Sequence, residues 1–169
     1  MTYSIIGILA AIILVIINRD VLWGDDEHNQ SVTRRNYRNF LKGVMGYYVT
    51  DVLWGILESH RLTAVLYADT VIHFVAMSLA ILFWTRYVVS YLEDTSFFGE
   101  FLNRAGTLFL CFEVAVVSLN FFQPVLFWFD AAGAYHAEIA RYITLMLQIL
   151  MFFLCSVYTL RVTSKTQGT

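Results

Sequence analysis

The chain has 169 residues, of which 59% are hydrophobic and only 14% charged, and its formal net charge is −2. Ordinary soluble domains are about 45–50% apolar and about 25% charged, and a domain this small leaves much of its surface in water, so a water-surrounded globule is excluded and lipid is the solvent that fits. No basic stripe interleaved with aromatics points to nucleic acid; the partner implied is a lipid bilayer.

A membrane-spanning helix needs about 20 mostly apolar residues. Tyr3 to Ile17, continued by Asn18, supplies a short first span over 3–18. It has no basic n-region and no clean small-residue cleavage site, and Arg19-Asp20 follows directly, so it reads as a retained helix rather than a secretory leader. Residues 19–36 carry Asp25, Asp26, Glu27, His28, Arg34 and Arg35 and read as a polar loop, with His28 solvated. Ser31-Val32-Thr33-Arg34 offers N-cap residues for a helix entering the membrane. The second span is 40–57 and the third 62–87, with a loop around Glu93-Asp94-Thr95-Ser96. The fourth, 105–122, is stopped by Gln123-Pro124, because proline cannot continue the hydrogen-bond ladder. Val125 to His136 reads as an interfacial loop or re-entrant hairpin with Phe127, Trp128 and Phe129 at headgroup depth. The fifth span is 139–160, and 161–169 reads as a polar cytoplasmic tail or the start of a linker. Cys111 and Cys155 lie in apolar runs and read as small buried side chains.

Backbone groups in lipid must be satisfied internally, and these runs lack the alternation of barrel strands. The predicted fold is therefore all-α, a polytopic bundle of about five transmembrane helices. Arg19, Arg34, Arg35, Arg38, Lys42, Arg86, Arg104, Arg161 and Lys165 fall on one side of that topology, nine of the eleven basic residues, leaving Arg61 and Arg141 on the other. The positive-inside rule then places the N-terminus outside and the C-terminus in the cytoplasm. The Arg34, Arg35, Arg38, Lys42 cluster could equally bind anionic lipid.

Ionisable side chains within a span are costly and face the bundle interior by default. The second span has Asp51 and Glu58, the third Asp69 and His73, the fourth Glu113 and Asn120, and the fifth Arg141 and Gln148. Spacings of four and seven put each pair on one helix face. The expected site is a polar pocket in the outer half of the membrane built from these residues and His136, with His60, Asp130 and Glu138 near the same surface. Arg141 is the natural partner for a carboxylate of the protein or of a small ligand. The bland reading is a hydrogen-bond network that sets helix register. Tyr47, Tyr48 and Trp54 read as lipid-facing packing residues, with lining of the pocket as the alternative.

A haem site would pair His73 with His60 or His136 at matching depth. A metal site would use His60, His136, Asp69 and Glu138, but no spacing resembles a zinc motif. No metal or other cofactor is assigned. No phosphate loop, activated serine or Cys-x-x-Cys is present, so no catalytic residues are assigned either.

Six stretches carry a resemblance: Ile17-Asn18-Arg19-Asp20-Val21-Leu22-Trp23; Tyr37-Arg38-Asn39-Phe40-Leu41; Tyr47-Tyr48-Val49-Thr50-Asp51-Val52-Leu53-Trp54-Gly55; Phe127-Trp128-Phe129-Asp130; Gly133-Ala134-Tyr135-His136; and Ala140-Arg141-Tyr142. Together they resemble the N-terminal multi-pass sensor region of diguanylate cyclases from Gram-positive bacteria, where that region precedes a cytoplasmic GGDEF domain. The resemblance implies a sensory module in the bacterial cytoplasmic membrane that passes a signal along the fifth helix to a dimeric cyclase. The chain ends at Thr169 with no GGDEF motif, so the cyclase activity does not carry over, and the chain reads as an excised or shortened sensor. A small transporter or channel component is the alternative, because intramembrane acids also mark ion paths; a haem- or quinone-binding carrier is the third reading.

Overall fold

The computed structural model describes residues 2–24, 31–93 and 96–167. Asp25, Asp26, Glu27 and His28 of the first loop, and Asp94 and Thr95 of the third, lie outside the described residues. The elements in chain order are α1 (Thr2–Ile17), α2 (Arg19–Trp23), α3 (Val32–Ser59), α4 (Thr63–Leu92), α5 (Phe97–Asn120), β1 (Phe127–Phe129), β2 (Tyr135–Ala137) and α6 (Ile139–Gln167). The molecule is an all-α helical bundle carrying one short β-hairpin.

Three helices are long and apolar enough to cross a membrane, over Thr63–Leu92, Phe97–Asn120 and Ile139–Ser164. A shorter apolar helix runs over Ile5–Ile17. The 28-residue α3 has the length, but Arg34, Arg35, Arg38, Lys42, Asp51 and Glu58 dilute its apolar character. Large aliphatic and aromatic side chains cover the outside of the bundle, among them Ile17, Leu108, Phe122 and Phe153. That inverted surface suits hydrocarbon.

Several boundaries differ from the sequence reading. Residues 19–23, expected as loop, form the turn of helix α2 after a break at Asn18, whose side-chain amide donates to the Leu14 carbonyl. Helices α3, α4 and α5 each extend past the expected span by one or two turns. Ser31 caps α3 as its residue type predicts, its hydroxyl accepting from the Arg34 amide at 3.3 Å. Helix α5 ends at Asn120, before Gln123-Pro124. Cys155 is buried, but Cys111 is exposed on α5, which corrects the expectation for that residue.

Helices α3 and α4 form the most extensive contact. At Gly43 a side chain would stand 3.1 Å from the backbone of Ala80, the close approach that small residues permit between membrane helices. Helix α1 lies along α3, and α5 and α6 pack on α4 and on each other. The interior of α4, α5 and α6 is layered. Phe74, Val116, Val117, Leu126 and Phe127 cluster under the hairpin, Ile81, Phe109 and Met151 lie at mid-bundle, and Val88, Leu102, Cys155 and Tyr158 lie at the far end.

Candidate functional site

Helices α3 and α6 both pack on α4 but scarcely on each other. The gap between them is a cavity of about 450 Å³ that reaches the hairpin. Each helix lines it with a stripe at helical spacing. Helix α3 contributes Tyr47, Asp51 and Trp54; α4 contributes Thr70, His73, Phe74 and Met77; α6 contributes Arg141, Thr144, Leu145 and Gln148. Tyr135 of β2 completes the lining. Seven residues of helix rise about 10 Å, so each stripe runs some two turns inward from the hairpin end.

The polar groups are graded along that depth. Arg141 is exposed at the mouth, and its guanidinium carbon lies 5.0 Å from the centre of the Tyr135 ring, a cation–π contact. Burial holds the Tyr135 phenol above its usual value, with Arg141 opposing, so it stays a neutral hydroxyl. Asp51 and His73 are half-buried, and Thr144 and Gln148 are buried. His73 Nδ1 lies 3.0 Å from the Thr50 hydroxyl, and its ring packs against Tyr47 at 4.7 Å between centres.

Of the nine residues proposed from sequence, the structure brings Asp51, His73, Arg141 and Gln148 into this one cavity. The other five go elsewhere. Glu58 lines a separate cleft between α1 and α3, beside Ile5, Ile8 and Val52. Asp69 is buried on α4 with Oδ2 unpartnered. Glu113 is fully buried near Thr144, with neither side chain in hydrogen-bond geometry. Asn120 is a structural clamp: its Oδ1 accepts from the amides of Val125, Leu126 and Phe127, and its Nδ2 donates to the Phe127 carbonyl and the Tyr67 hydroxyl.

His136 belongs to the hairpin. Its Nε2 is 3.1 Å from Asp130 Oδ2, and its ring stacks on Trp128 at 4.3 Å. Trp128 in turn donates to Glu138 at 3.0 Å. The turn is held by Asp130, whose Oδ1 accepts from the Ala132 and Ala134 amides at 2.9 Å each, and by Gly133 at φ +82, a conformation that favours glycine. The Ala134 amide, with help from His136 and the Ala132 amide, holds the Asp130 carboxyl below the usual carboxylate range.

Tyr47 and Trp54 line the cavity, the alternative to the lipid-facing packing that the sequence favours for them. Thr70, Tyr135 and Thr144 were not singled out. Helical spacing carried the signal, since Tyr47 and Trp54 stand four and three residues from Asp51, and Thr144 stands three from Arg141 and four from Gln148. Among the described residues no three His, Cys, Asp or Glu side chains are placed to hold a metal ion. No second histidine lines the cavity with His73. Comparison with protein-family models, curated proteins and solved structures finds no match for this chain.

Proposed function

We propose that this chain is a membrane-embedded input module with no chemistry of its own. It crosses a bacterial cytoplasmic membrane five times, N-terminus outside, with α1 and α3 joining the three longer apolar helices. A small ligand binds in the cavity between α3, α4 and α6, and its presence is passed along α6 to a cytoplasmic output. The resemblance to diguanylate cyclase sensor regions makes that output cyclic-di-GMP synthesis by a GGDEF domain.

The observation that carries this reading is that Asp51 and Arg141 both line one cavity while neither forms an ion pair among the described residues, Asp51 Oδ2 lying toward Gly7 of α1 and Arg141 resting on the Tyr135 ring. Charges in an apolar setting need partners, and a ligand bearing an anionic group for Arg141 supplies one. Support for coupling comes from α6 itself. It is one continuous helix of 29 residues, about 43 Å long, with the cavity stripe near one end and Arg161 near the other. A ligand shifts such a bundle by binding two arrangements unequally.

The test is a thermal-shift screen of the protein in nanodiscs against small carboxylates and zwitterions. The expected ligand raises the Tm of the parent and does nothing to Arg141→Gln. Equal shifts in both would remove the cavity from consideration.

One observation favours transport as the second reading. The buried carboxyl oxygens of Glu113 and one of Asp69 lack hydrogen-bond partners, and intramembrane acids mark proton paths. Saturable flux through liposomes bearing the protein would put this reading first.

A further inference from the structure

At the end of the bundle away from the hairpin, a second cavity of about 850 Å³ opens between α3, α4 and α5. Three arginines from three helices converge on it: Arg35, Arg86 and Arg104. Arg35 stands in the first turn of α3, Arg86 six residues before the end of α4, and Arg104 seven residues into α5. At 1.5 Å per residue all three lie within about 10 Å of their helix ends, the depth of a headgroup layer rather than of the hydrocarbon centre. Cross-helix bonds hold the site together. Thr33 donates to the Ser90 carbonyl at 3.2 Å, and the buried Asn36 amide donates to the Arg86 carbonyl at 3.4 Å.

Among the described residues the charge is unbalanced, three arginines against Glu100. Arg104 pairs with Glu100 one turn back, an exposed pair of little energetic weight. Arg35 and Arg86 have no acidic partner among the described residues. The surface between these charges is largely apolar, with Val32, Val89 and Leu108 set among Asn36, Ser90, Asn103 and Thr107, and Leu108 is 69% exposed. A cationic rim above a lipid-facing apolar groove matches one kind of molecule at both ends.

We propose that this groove binds an anionic phospholipid, with Arg35 and Arg86 taking the phosphate, Arg104 closing the rim, and an acyl chain lying along Val89 and Leu108. Guanidinium groups suit phosphate because their planar N–H pairs meet two oxygens at once. Basic pockets between membrane helices at headgroup level hold such lipids by this chemistry. The site shares no lining residue with the ligand cavity and stands whether or not that cavity binds a signal.

The experiment is native mass spectrometry of the detergent-purified chain titrated with phosphatidylglycerol, with phosphatidylcholine of the same acyl chains, or with phosphatidylglycerol in competition with inorganic phosphate. Phosphatidylglycerol is expected to bind at least about tenfold more tightly than phosphatidylcholine, and phosphate is expected not to displace it. One basic side chain near an anionic surface is worth about fivefold in affinity. Arg86→Gln should therefore weaken phosphatidylglycerol about fivefold, and Arg35→Gln with Arg86→Gln and Arg104→Gln about a hundredfold. Arg161→Gln, basic but outside the groove, should change it less than twofold. Equal binding of the two lipids, or unchanged affinity in Arg86→Gln, would overturn the proposal. Displacement by phosphate alone would make the occupant a free anion rather than a lipid and would overturn it too. If the triple variant does not fold, Arg86→Gln and the lipid comparison on the parent decide the matter.

Discussion

The Thr50 hydroxyl and His73 Nδ1 meet at 3.0 Å across the α3–α4 contact. The same hydroxyl lies 2.9 Å from the Tyr47 carbonyl and 3.1 Å from that of Gly46. A hydroxyl has one proton, and in a helix it goes to a carbonyl one turn back. Thr50 therefore accepts from His73, which fixes the Nδ1–H tautomer and leaves Nε2 as an acceptor on a residue that lines the cavity. Nitrogen-15 NMR of labelled His73 should show Nδ1 protonated and Nε2 bare. Thr50→Val should cost about 1 kcal/mol and let the two tautomers mix. A parent spectrum with the proton on Nε2 would reverse the assignment.

Asn120 makes five hydrogen bonds with one amide group, closing the chain from the end of α5 into β1. Two of its partners, Leu126 and Phe127, are almost fully buried, so removing Asn120 strands backbone groups away from water. Each buried group left unpaired costs about 1–3 kcal/mol. Asn120→Ala should lower stability by about 3 kcal/mol or more. Asn120→Asp keeps the three acceptor bonds, loses the two donor bonds, and should fall between. Thermal unfolding in a fixed detergent ranks the three proteins, and an Asn120→Ala loss under about 1 kcal/mol would show that water replaces the clamp.

Apolar run length made the helices legible, but it reports lipid contact rather than helix ends. Helices α3 and α5 continue into charged segments, 32–39 and 97–104, where hydropathy falls and hydrogen bonding does not, and α4 runs on through the uncharged 88–92. The strands escaped because three residues are too few for alternation to register; from sequence, 125–136 reads only as an interfacial loop or re-entrant hairpin. In the site, Asp51, His73, Arg141 and Gln148 stood out because polar groups are rare in apolar runs. Glu58 and Asn120 share a helix face with Asp51 and Glu113, but seven residues is about 10 Å along the axis. That distance carries Asn120 to the hairpin base, while Glu58 lines the α1 cleft, the side on which Asp51 Oδ2 also stands against Gly7. Spacing fixes a face, and neighbours from other helices fix what the face meets.

The hairpin turn should be sensitive to acid. Asp130 is held below its ordinary value by the Ala134 amide first, then by His136 and the Ala132 amide. A depressed carboxyl contributes stability that is fully present above the unfolded value of about 3.9 and is lost as pH falls through the lower folded value. Hydrogen exchange at the Ala132 and Ala134 amides should thus be slow at neutral pH relative to Asp130→Ala, with the difference shrinking once the medium falls below about pH 4. Protection in Asp130→Ala equal to that of the parent at neutral pH would show that the turn is held by Gly133 and strand pairing instead.

The α3–α4 contact treats two glycines one turn apart differently. At Gly43 an added Cβ would sit 3.1 Å from the N, Cα and Cβ of Ala80. Two of those atoms are backbone and cannot swing aside, so the helices must part. At Gly46 the nearest atom is the Ala76 methyl at 3.4 Å, an ordinary contact. Overpacking costs about 1–3 kcal/mol, whereas alanine in place of glycine favours a helix by up to about 1 kcal/mol where space exists. Gly43→Ala should therefore destabilise by about 1–3 kcal/mol, and Gly46→Ala should be neutral or mildly stabilising. Because Tyr47 and Thr50 lie one and two turns beyond on the same helix face, Gly43→Ala should also loosen the Thr50–His73 contact, visible as tautomer mixing in the same NMR signal. Equal unfolding temperatures for the two alanine variants would mean that α3 and α4 are farther apart at Gly43 than the 3.1 Å contact requires.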